Sequence, residues 1–332
     1  MSFDDVYAKL SKKTKDRLKL ASEITTEFIP TASIGLNRDL KGGFGRGRQT
    51  VIWGNKSAGK SSMVLQTIAE AQKRGDICAW IDAENTFDKT WAARLGVNCD
   101  ELIVTKSRSI DEAVADISDF LEAEVDIIVL DSINALLPST YFEKKDELKE
   151  GLEGTKQIGT VSKELAVAVN KFNYLNKRSA LVLISQLRNK IGGYGAMADM
   201  AGGEAMKFFS STVIKLWSSA SEKEQKQGEV QLGDKLIKKP IGRPVNYTVQ
   251  FNKLGPPNQT GTYDFYYDGA VVGIDQVGEI VDMAESLGLI DKSGAWYYYE
   301  EEKFQGRTKV VDYFKENDAE RGVLEKRVLN EH

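Results

Sequence analysis

The stretch Gly54-Asn55-Lys56-Ser57-Ala58-Gly59-Lys60-Ser61-Ser62 satisfies the pattern G-x-x-x-x-G-K-[ST], and no other feature restricts the fold of this chain so tightly. Such a loop works only between a strand and a helix, and the flanking residues supply both. Gln49-Thr50-Val51-Ile52-Trp53 is short, apolar and β-prone, while Met63, Val64, Leu65, Ile68 and Ala71 recur at helical spacing until Gly75 offers a stop. Glycines let the backbone curl so that successive N–H groups point at a β-phosphate from the N-terminus of a helix. In that geometry Lys60 contributes a point charge and Ser61 a hydroxyl for Mg²⁺. A chance glycine turn ahead of Lys-Ser would need neither flank, so the loop in this setting implies binding of a nucleoside triphosphate.

A phosphate loop needs a second position for its metal, and a buried strand ending in Asp is the expected source. The consecutive apolar residues of Asp126-Ile127-Ile128-Val129-Leu130-Asp131-Ser132 predict a parallel strand buried on both faces. Asp131 then falls at its C-terminal end, where ligands of open α/β sheets collect, and is expected to hold Mg²⁺ through water. Cys78-Ala79-Trp80-Ile81-Asp82-Ala83-Glu84 is a second apolar strand that delivers a carboxylate at its tip. Hydrolysis needs a water aligned on the γ-phosphate and a group to take its proton, which makes Glu84 the candidate general base. Its other reading, a helix N-cap or a solvated loop acid, stays open at this level.

Composition bounds the rest. With 332 residues the chain has room for one large core and a smaller satellite. A net charge of −4 argues against coating nucleic acid through bulk positive charge, and leaves any DNA contact to a local groove, loop amides and a few placed cations. Cys78 and Cys99 have neither C-x-x-C spacing nor the density of a secreted disulfide fold, and read as reduced thiols. The absence of a signal-like N-terminal segment, or of a run approaching about 18 apolar residues, predicts a soluble cytoplasmic protein with no membrane partner. The single histidine, His332, removes His-based acid–base catalysis, Ser-His triads and His-ligated zinc. The guanine-reading Asn-Lys-x-Asp is missing: Asn170-Lys171-Phe172-Asn173 and Asn252-Lys253-Leu254-Gly255 each lack the Asp. ATP is therefore the expected nucleotide.

Three segments follow from the pattern along the chain. Residues 1–32 are charged and helix-prone with sparse apolar positions, ending in Phe28-Ile29-Pro30-Thr31, and read as a helical arm and linker. Residues 33–260 alternate apolar strands, near 50–53, 78–82, 102–105, 127–131, 180–185, 212–217 and 245–251, with helical stretches. That is the βαβ pattern of an α/β core with a mainly parallel central sheet covered on both faces. Val161, Leu165, Ala168, Phe172 and Leu175 form a core-facing helical stripe. Residues 261–332 change character: an amphipathic stretch from Val277 to Leu287, then Ala295-Trp296-Tyr297-Tyr298-Tyr299, then Val310 to Phe314 and a charged final helix, a small α+β domain. Its aromatics could stack bases, but closing a small core is the commoner use.

After the strand Ala180-Leu181-Val182-Leu183-Ile184-Ser185 comes Gln186, an amide at a strand tip placed to sense a γ-phosphate. Behind it, Leu187 to Gly203 carries two cations, Arg188 and Lys190, the glycines 192, 193, 195, 202 and 203, and the apolar Ile191, Tyr194, Met197 and Met200. Ordinary surface loops rarely expose such residues without a partner. Free amides with apolar wedges suit a phosphodiester backbone and splayed bases.

With these residues in place, the chain resembles the RecA family of DNA recombinases, of bacterial type, whether chromosomal or phage-encoded. The resemblance covers nearly the full length and rests on Ser33-Ile34-Gly35-Leu36-Asn37, the phosphate loop, Ile81-Asp82-Ala83-Glu84, Leu130-Asp131-Ser132, Gln186-Leu187-Arg188-Asn189-Lys190-Ile191-Gly192, Gly202-Gly203 before Ala205-Met206-Lys207-Phe208, and Gly294-Ala295-Trp296-Tyr297. It implies a RecA-like ATPase core that polymerises as a helical filament on single-stranded DNA, pairs it with homologous duplex and hydrolyses ATP in a DNA-dependent way. By position it implies that Glu84 activates water, Asp88 and Trp91 hold the adenine, and Gln186 couples the γ-phosphate to the DNA loop. Trp91 stands where the family usually has tyrosine. Residues 153–159 match the first DNA-binding loop, with Ile158 as the apolar wedge and Gly159 beside it, and Arg188, Lys190, Gly192, Gly193, Tyr194, Gly202 and Gly203 fall in the second.

Two departures from the family bear on function. A neighbouring subunit usually offers two lysines, two residues apart, to the γ-phosphate, whereas the matching positions here are Phe251 and Lys253, leaving one cation in trans. Basic positions for a second DNA duplex read Asn246 and Thr248, with Lys235, Lys238, Lys239 and Arg243 nearby as substitutes. A closed hexameric helicase on the same core, or a nucleotide-switched DNA-binding scaffold without strand exchange, are the alternative functions these residues allow.

Overall fold

The computed structural model describes residues 1–16, 18, 20–138, 158–188, 199–200, 206, 210–218, 221, 224–232 and 235–330. Among the described residues, sixteen strands in chain order form three sheets: β1 (Phe28–Ile29), β2 (Phe44–Gly45), β3 (Arg48–Gly54), β4 (Cys78–Asp82), β5 (Leu102–Thr105), β6 (Ile127–Asp131), β7 (Ala180–Arg188), β8 (Asp199–Met200), β9 (Thr212–Trp217), β10 (Lys226–Leu232), β11 (Lys235–Asn252), β12 (Gln259–Tyr266), β13 (Gly273–Ile274), β14 (Asp291–Ser293), β15 (Trp296–Tyr299) and β16 (Glu302–Gln305). The large sheet runs β13-β12-β11-β9-β3-β7-β6-β4-β5, with β10 added to β11 and β8 to β7.

From β9 to β5 every pairing is parallel. Their apolar runs divide by alternation between two cores. Ile52, Ile127, Val129, Val182 and Ile184 pack on the face that carries helix Lys60–Lys73, whereas Val51, Trp53, Ile128, Leu130, Leu181 and Leu183 pack on the face that carries helix Ile110–Glu122. Burial on both faces is why these strands are apolar throughout.

The run expected near 245–251 does form a strand, but it starts at Lys235 and pairs antiparallel with β9. The physical reason is the connection. A parallel partner needs a crossover of a dozen or more residues, usually helical, whereas β11 is entered from a hairpin with β10 and returns by a short turn to β12. The sheet continues through β12 and β13, past residue 260, where the sequence pattern changes. In helix Ile158–Leu175, Ala168 and Phe172 are buried as the stripe predicts. Leu175 is not; it lies in the last turn and is exposed, and the side chains of Val161 and Leu165 fall outside the described residues.

Helix Phe3–Lys9, capped by Ser2, and helix Lys12–Lys15 bury nothing, so Phe3, Val6, Tyr7, Leu20 and Ile24 of the arm face outward. At the other end, helices Gln276–Ser286, Arg307–Glu316 and Asp318–Asn330 close over β14–β16 around Ile280, Val281, Tyr297, Tyr299, Val310 and Phe314. The aromatic strand β15 splits by alternation: Tyr297 and Tyr299 fill this core, while Trp296 and Tyr298 face outward on either side of Lys303. Ile34 of helix Ile34–Asp39 joins the same cluster. Next to it Glu279, buried, accepts from Ser33 Oγ (2.6 Å), Ile34 N (3.1 Å) and Gly35 N (3.1 Å), the open amides at that helix's start. Among the described residues no helix is long and apolar enough to cross a membrane.

Candidate nucleotide and nucleic-acid site

The parallel strands β3, β4, β6 and β7 end at one edge, and there Gly54, Asp82, Asp131 and Gln186 meet. Gly54 closes β3 beside Leu216 with φ +153°, and a Cβ on it would lie 1.9 Å from the Leu216 carbonyl oxygen, so only glycine fits. Gly59, at φ +87°, is the left-handed N-cap of helix Lys60–Lys73. Between them Asn55, Lys56 and Ser57 are exposed and Ala58 is buried. The loop thus lies exposed ahead of a helix N-terminus, the arrangement that receives a phosphate.

Lys60 is buried, its Nζ donating to the carbonyls of Gly54 (3.2 Å) and Asn55 (2.9 Å). Burial lowers its pKa, against the pull of Asp131 and Glu84. Ser61 Oγ donates to Asp131 Oδ2 at 2.6 Å, joining the hydroxyl and carboxylate that the sequence assigns to a metal. Burial pushes Asp131 up to about 6, opposed by the Ser61 hydrogen bond and by Lys60, and reinforced by Glu84 and Asp82. A carboxylate and a hydroxyl side by side at the mouth of the loop are a set of hard oxygen donors that fits a cation such as Mg²⁺.

Asp82 shapes the next turn, accepting from Thr86 N (3.1 Å) and Phe87 N (2.9 Å), while Ala83 N donates to the Asp131 carbonyl (2.8 Å). Glu84 is thereby held over the end of β6, as neither a helix cap nor a free acid. Its Oε1 accepts from Gln186 Nε2 at 2.6 Å and from Ser132 Oγ. Gln186 is fixed in turn by Asn134, whose Oδ1 accepts from Gln186 N (2.7 Å) and whose Nδ2 donates to Gln186 O (3.4 Å). The sequence reading did not single out Ser132 as a partner of Glu84, nor Asn134; Ser132 lay within a quoted motif, but Asn134 carries no motif that marks it.

Ser62 and Trp91 meet through a hydrogen bond from Trp91 Nε1 (3.2 Å), so the indole borders the first turn after the phosphate loop. Arg94 lies 5.4 Å from its ring centroid and Phe265 tilts against it at 6.4 Å. Asp88, assigned to adenine, also caps helix Lys89–Arg94, accepting from Thr90 N (2.7 Å) and Trp91 N (3.1 Å).

Of the remaining assigned residues, Lys253 lies away from this cluster. Lys253 and Phe251 sit at the opposite end of the sheet: Asn252 shares a rung with Thr212 and Thr50, whereas Gly54 is level with Leu216 and Tyr247. Four residues of strand, about 13 Å, separate those rungs. Phe251 is exposed, with Lys253 Nζ 5.6 Å from its ring. Ile158 and Gly159 begin helix Ile158–Leu175 and Arg188 ends β7, so the backbone places them, while their side chains lie outside the described residues. Lys190, Gly192, Gly193, Tyr194, Gly202 and Gly203 lie outside the described residues altogether.

The RecA N-terminal domain family matches residues 2–272, and the RecA C-terminal domain family residues 278–332. Protein RecA of Nitratidesulfovibrio vulgaris strain DP4 is 36% identical over 324 residues, covering 94% of this chain and 84% of the relative. Protein RecA of Chlorobaculum tepidum is 36% identical over 308 residues, 91% of this chain and 83% of the relative. A mitochondrial DNA repair protein recA homolog of Dictyostelium discoideum is 38% identical over 302 residues, 88% of this chain and 62% of the relative. With both domain families matched end to end over a sheet edge that gathers the phosphate loop, Asp131, Glu84 and Gln186, the chain belongs to the RecA family.

Proposed function

We propose that Gly54–Ser62 cradles the phosphates of ATP, with Ser61 and, through water, Asp131 holding Mg²⁺. As a RecA-family protein the chain is a nucleotide-binding, DNA-dependent ATPase and a recombinase that assembles on DNA and exchanges strands. Mg²⁺ supplies charge neutralisation at the β- and γ-phosphates. Lys60 adds the cation beside them, and Glu84 orients the attacking water and takes its proton. Trp91 and Asp88 flank the base.

The observation that carries this reading is the 2.6 Å hydrogen bond from Gln186 to Glu84. In sequence, β7 carries Gln186 at the head of the segment from Leu187 to Gly203, the second DNA loop of the family pattern, so one side chain joins the base to the segment assigned to DNA. This bond holds the Glu84 carboxylate on Gln186. Reorganisation of the loop on single-stranded DNA would release Glu84 to water. Ile158, Gly159, Arg188, Lys190, Gly192, Gly193, Tyr194, Gly202 and Gly203 are the residues assigned to the DNA.

Lys253 lies too far along the sheet to reach the phosphate loop of its own chain, which supports a role on the nucleotide of a neighbouring subunit. The outward apolar residues of the arm suit the same filament. A division into arm, core and C-terminal domain accompanies this reading, with the core extended beyond the expected 260 by β12 and β13, as do a cytoplasmic location and both single- and double-stranded DNA as partners. The match to the RecA C-terminal domain over residues 278–332 favours the recombinase over a closed hexameric motor.

Gln186→Ala tests the coupling through ATP hydrolysis with and without single-stranded DNA, together with nucleotide affinity. The expected result is loss of most of the DNA stimulation with affinity within about threefold. Full stimulation in the variant would overturn the coupling.

A further inference from the structure

Antiparallel β11 does not stop where the parallel strands stop. Tyr247 is level with Leu216 and Gly54, so the residues before it overhang the edge of the sheet that bears the phosphate loop. Val245 packs beneath that loop, its Cγ2 4.0 Å from where a Cβ on Gly59 would be, in the same core cluster as Ala58. Two residues further out, on the same side of the strand, the Arg243 guanidinium reaches the crest of the loop and donates through Nη2 to the carbonyl of Ser57. Its Nε is buried with no hydrogen-bond partner, and among the described residues no carboxylate lies within ion-pairing distance.

Ser57 is the residue of this loop whose backbone most needs such help. It sits at φ +62°, the left-handed region that costs a non-glycine side chain free energy unless its surroundings hold it there. Gly54 and Gly59 reach their own positive φ values without a Cβ. The orientation of the Ser57 peptide fixes the turn in which Ala58 N donates to the Asn55 carbonyl (3.1 Å), and so where the following amides of Gly59 and Lys60 point, at the helix N-terminus that a β-phosphate meets.

We propose that Arg243 is a positioning residue for nucleotide binding: by clamping the Ser57 carbonyl it holds the phosphate loop in its binding shape from within the same chain. The inference rests on the reading of Gly54–Ser62 as the phosphate cradle. A charge-assisted hydrogen bond is the strong kind, and a cation beside the loop also favours an incoming polyphosphate.

The test is ATP affinity of the full-length protein without DNA, by titration with a fluorescent ATP analogue, and the split between KM and kcat in turnover. Arg243→Ala is expected to weaken affinity about tenfold, with most of the loss in KM. Ser57→Gly removes the Cβ that makes the left-handed backbone costly. In that background the same Arg243→Ala change is expected to cost less than about threefold. A defect equal in both backgrounds would mean that Arg243 acts on the nucleotide or the fold rather than through Ser57, and no defect in either would mean no role; each overturns the clamp. Lys60→Ala separates the premise. If it loses nucleotide affinity while Arg243→Ala does not, the clamp alone falls; if Lys60→Ala binds ATP normally, the cradle falls and the clamp with it. Should Arg243→Ala unfold, as read by circular dichroism, Arg243→Lys takes its place in both backgrounds, with a smaller loss of the same pattern expected because one donor on a flexible stem remains.

Discussion

Glu84 illustrates how a single side chain acquires a role from its neighbours. A carboxylate at a strand tip is common, but here Oε1 accepts from Ser132 and Gln186, beside Lys60, Ser61 and Asp131. Glu84→Gln keeps the shape and removes the proposed base. ATP turnover is expected to fall about 10²- to 10⁴-fold, while nucleotide affinity stays within a few-fold, as read by single-turnover hydrolysis and a binding titration. A similar loss in affinity would instead make Glu84 a binding group. The sequence made Glu84, Asp131 and Lys60 legible because strand, loop and acid recur in a local order. Asn134 was not legible, since its part consists of two hydrogen bonds to a residue 52 positions away.

At the scale of elements, the strand edges are set by backbone fit. β3 can lie between β7 and β9 only because Gly54 has no Cβ against the Leu216 carbonyl. Gly54→Ala is expected to cost at least about 1 kcal/mol in a denaturant melt, and to weaken ATP binding, since β9 must move away from the loop's first residue. An unchanged midpoint would show that the edge yields freely. Every expected core strand forms, and all but β11, which begins ten residues ahead of the expected 245, lie within a few residues of their place. What the pattern did not contain was the direction of β11, because alternation of apolar residues is the same for a strand running either way. Direction followed from the connection, and with it the overhang that brings Arg243 to the loop.

Across the whole molecule, the C-terminal domain is tied to the core by Glu279 on the start of helix Ile34–Asp39. Burial pushes Glu279 up from an ordinary 4.5 to about 7, against the pull of Ser33, Gly35 and Ile34. Because the folded value lies above the unfolded one, its contribution to stability is fully present below about pH 4.5 and is lost as the pH rises toward about 7. Thermal melts from pH 5 to pH 8 should therefore show the wild type losing stability relative to Glu279→Gln. Parallel pH dependence of the two would remove Glu279 as the cause. Assembly belongs to the same scale: Lys253→Ala is expected to impair ATP-dependent filament formation on single-stranded DNA by electron microscopy while leaving the nucleotide affinity of the dilute protein within about twofold. An equal loss of affinity in the dilute protein would contradict a role in trans.

The sequence by itself determined the nucleotide chemistry, the strands that carry it and the recombinase family, because these rest on contiguous motifs and on the two-residue period of buried strands. The tertiary structure alone decided which distant residues complete the site. Asn134 on Gln186, Arg243 on Ser57 and Glu279 on the amides of Ile34 and Gly35 are contacts between segments from 52 to 245 residues apart. They follow from strand register and domain docking, and no local pattern of residues encodes either.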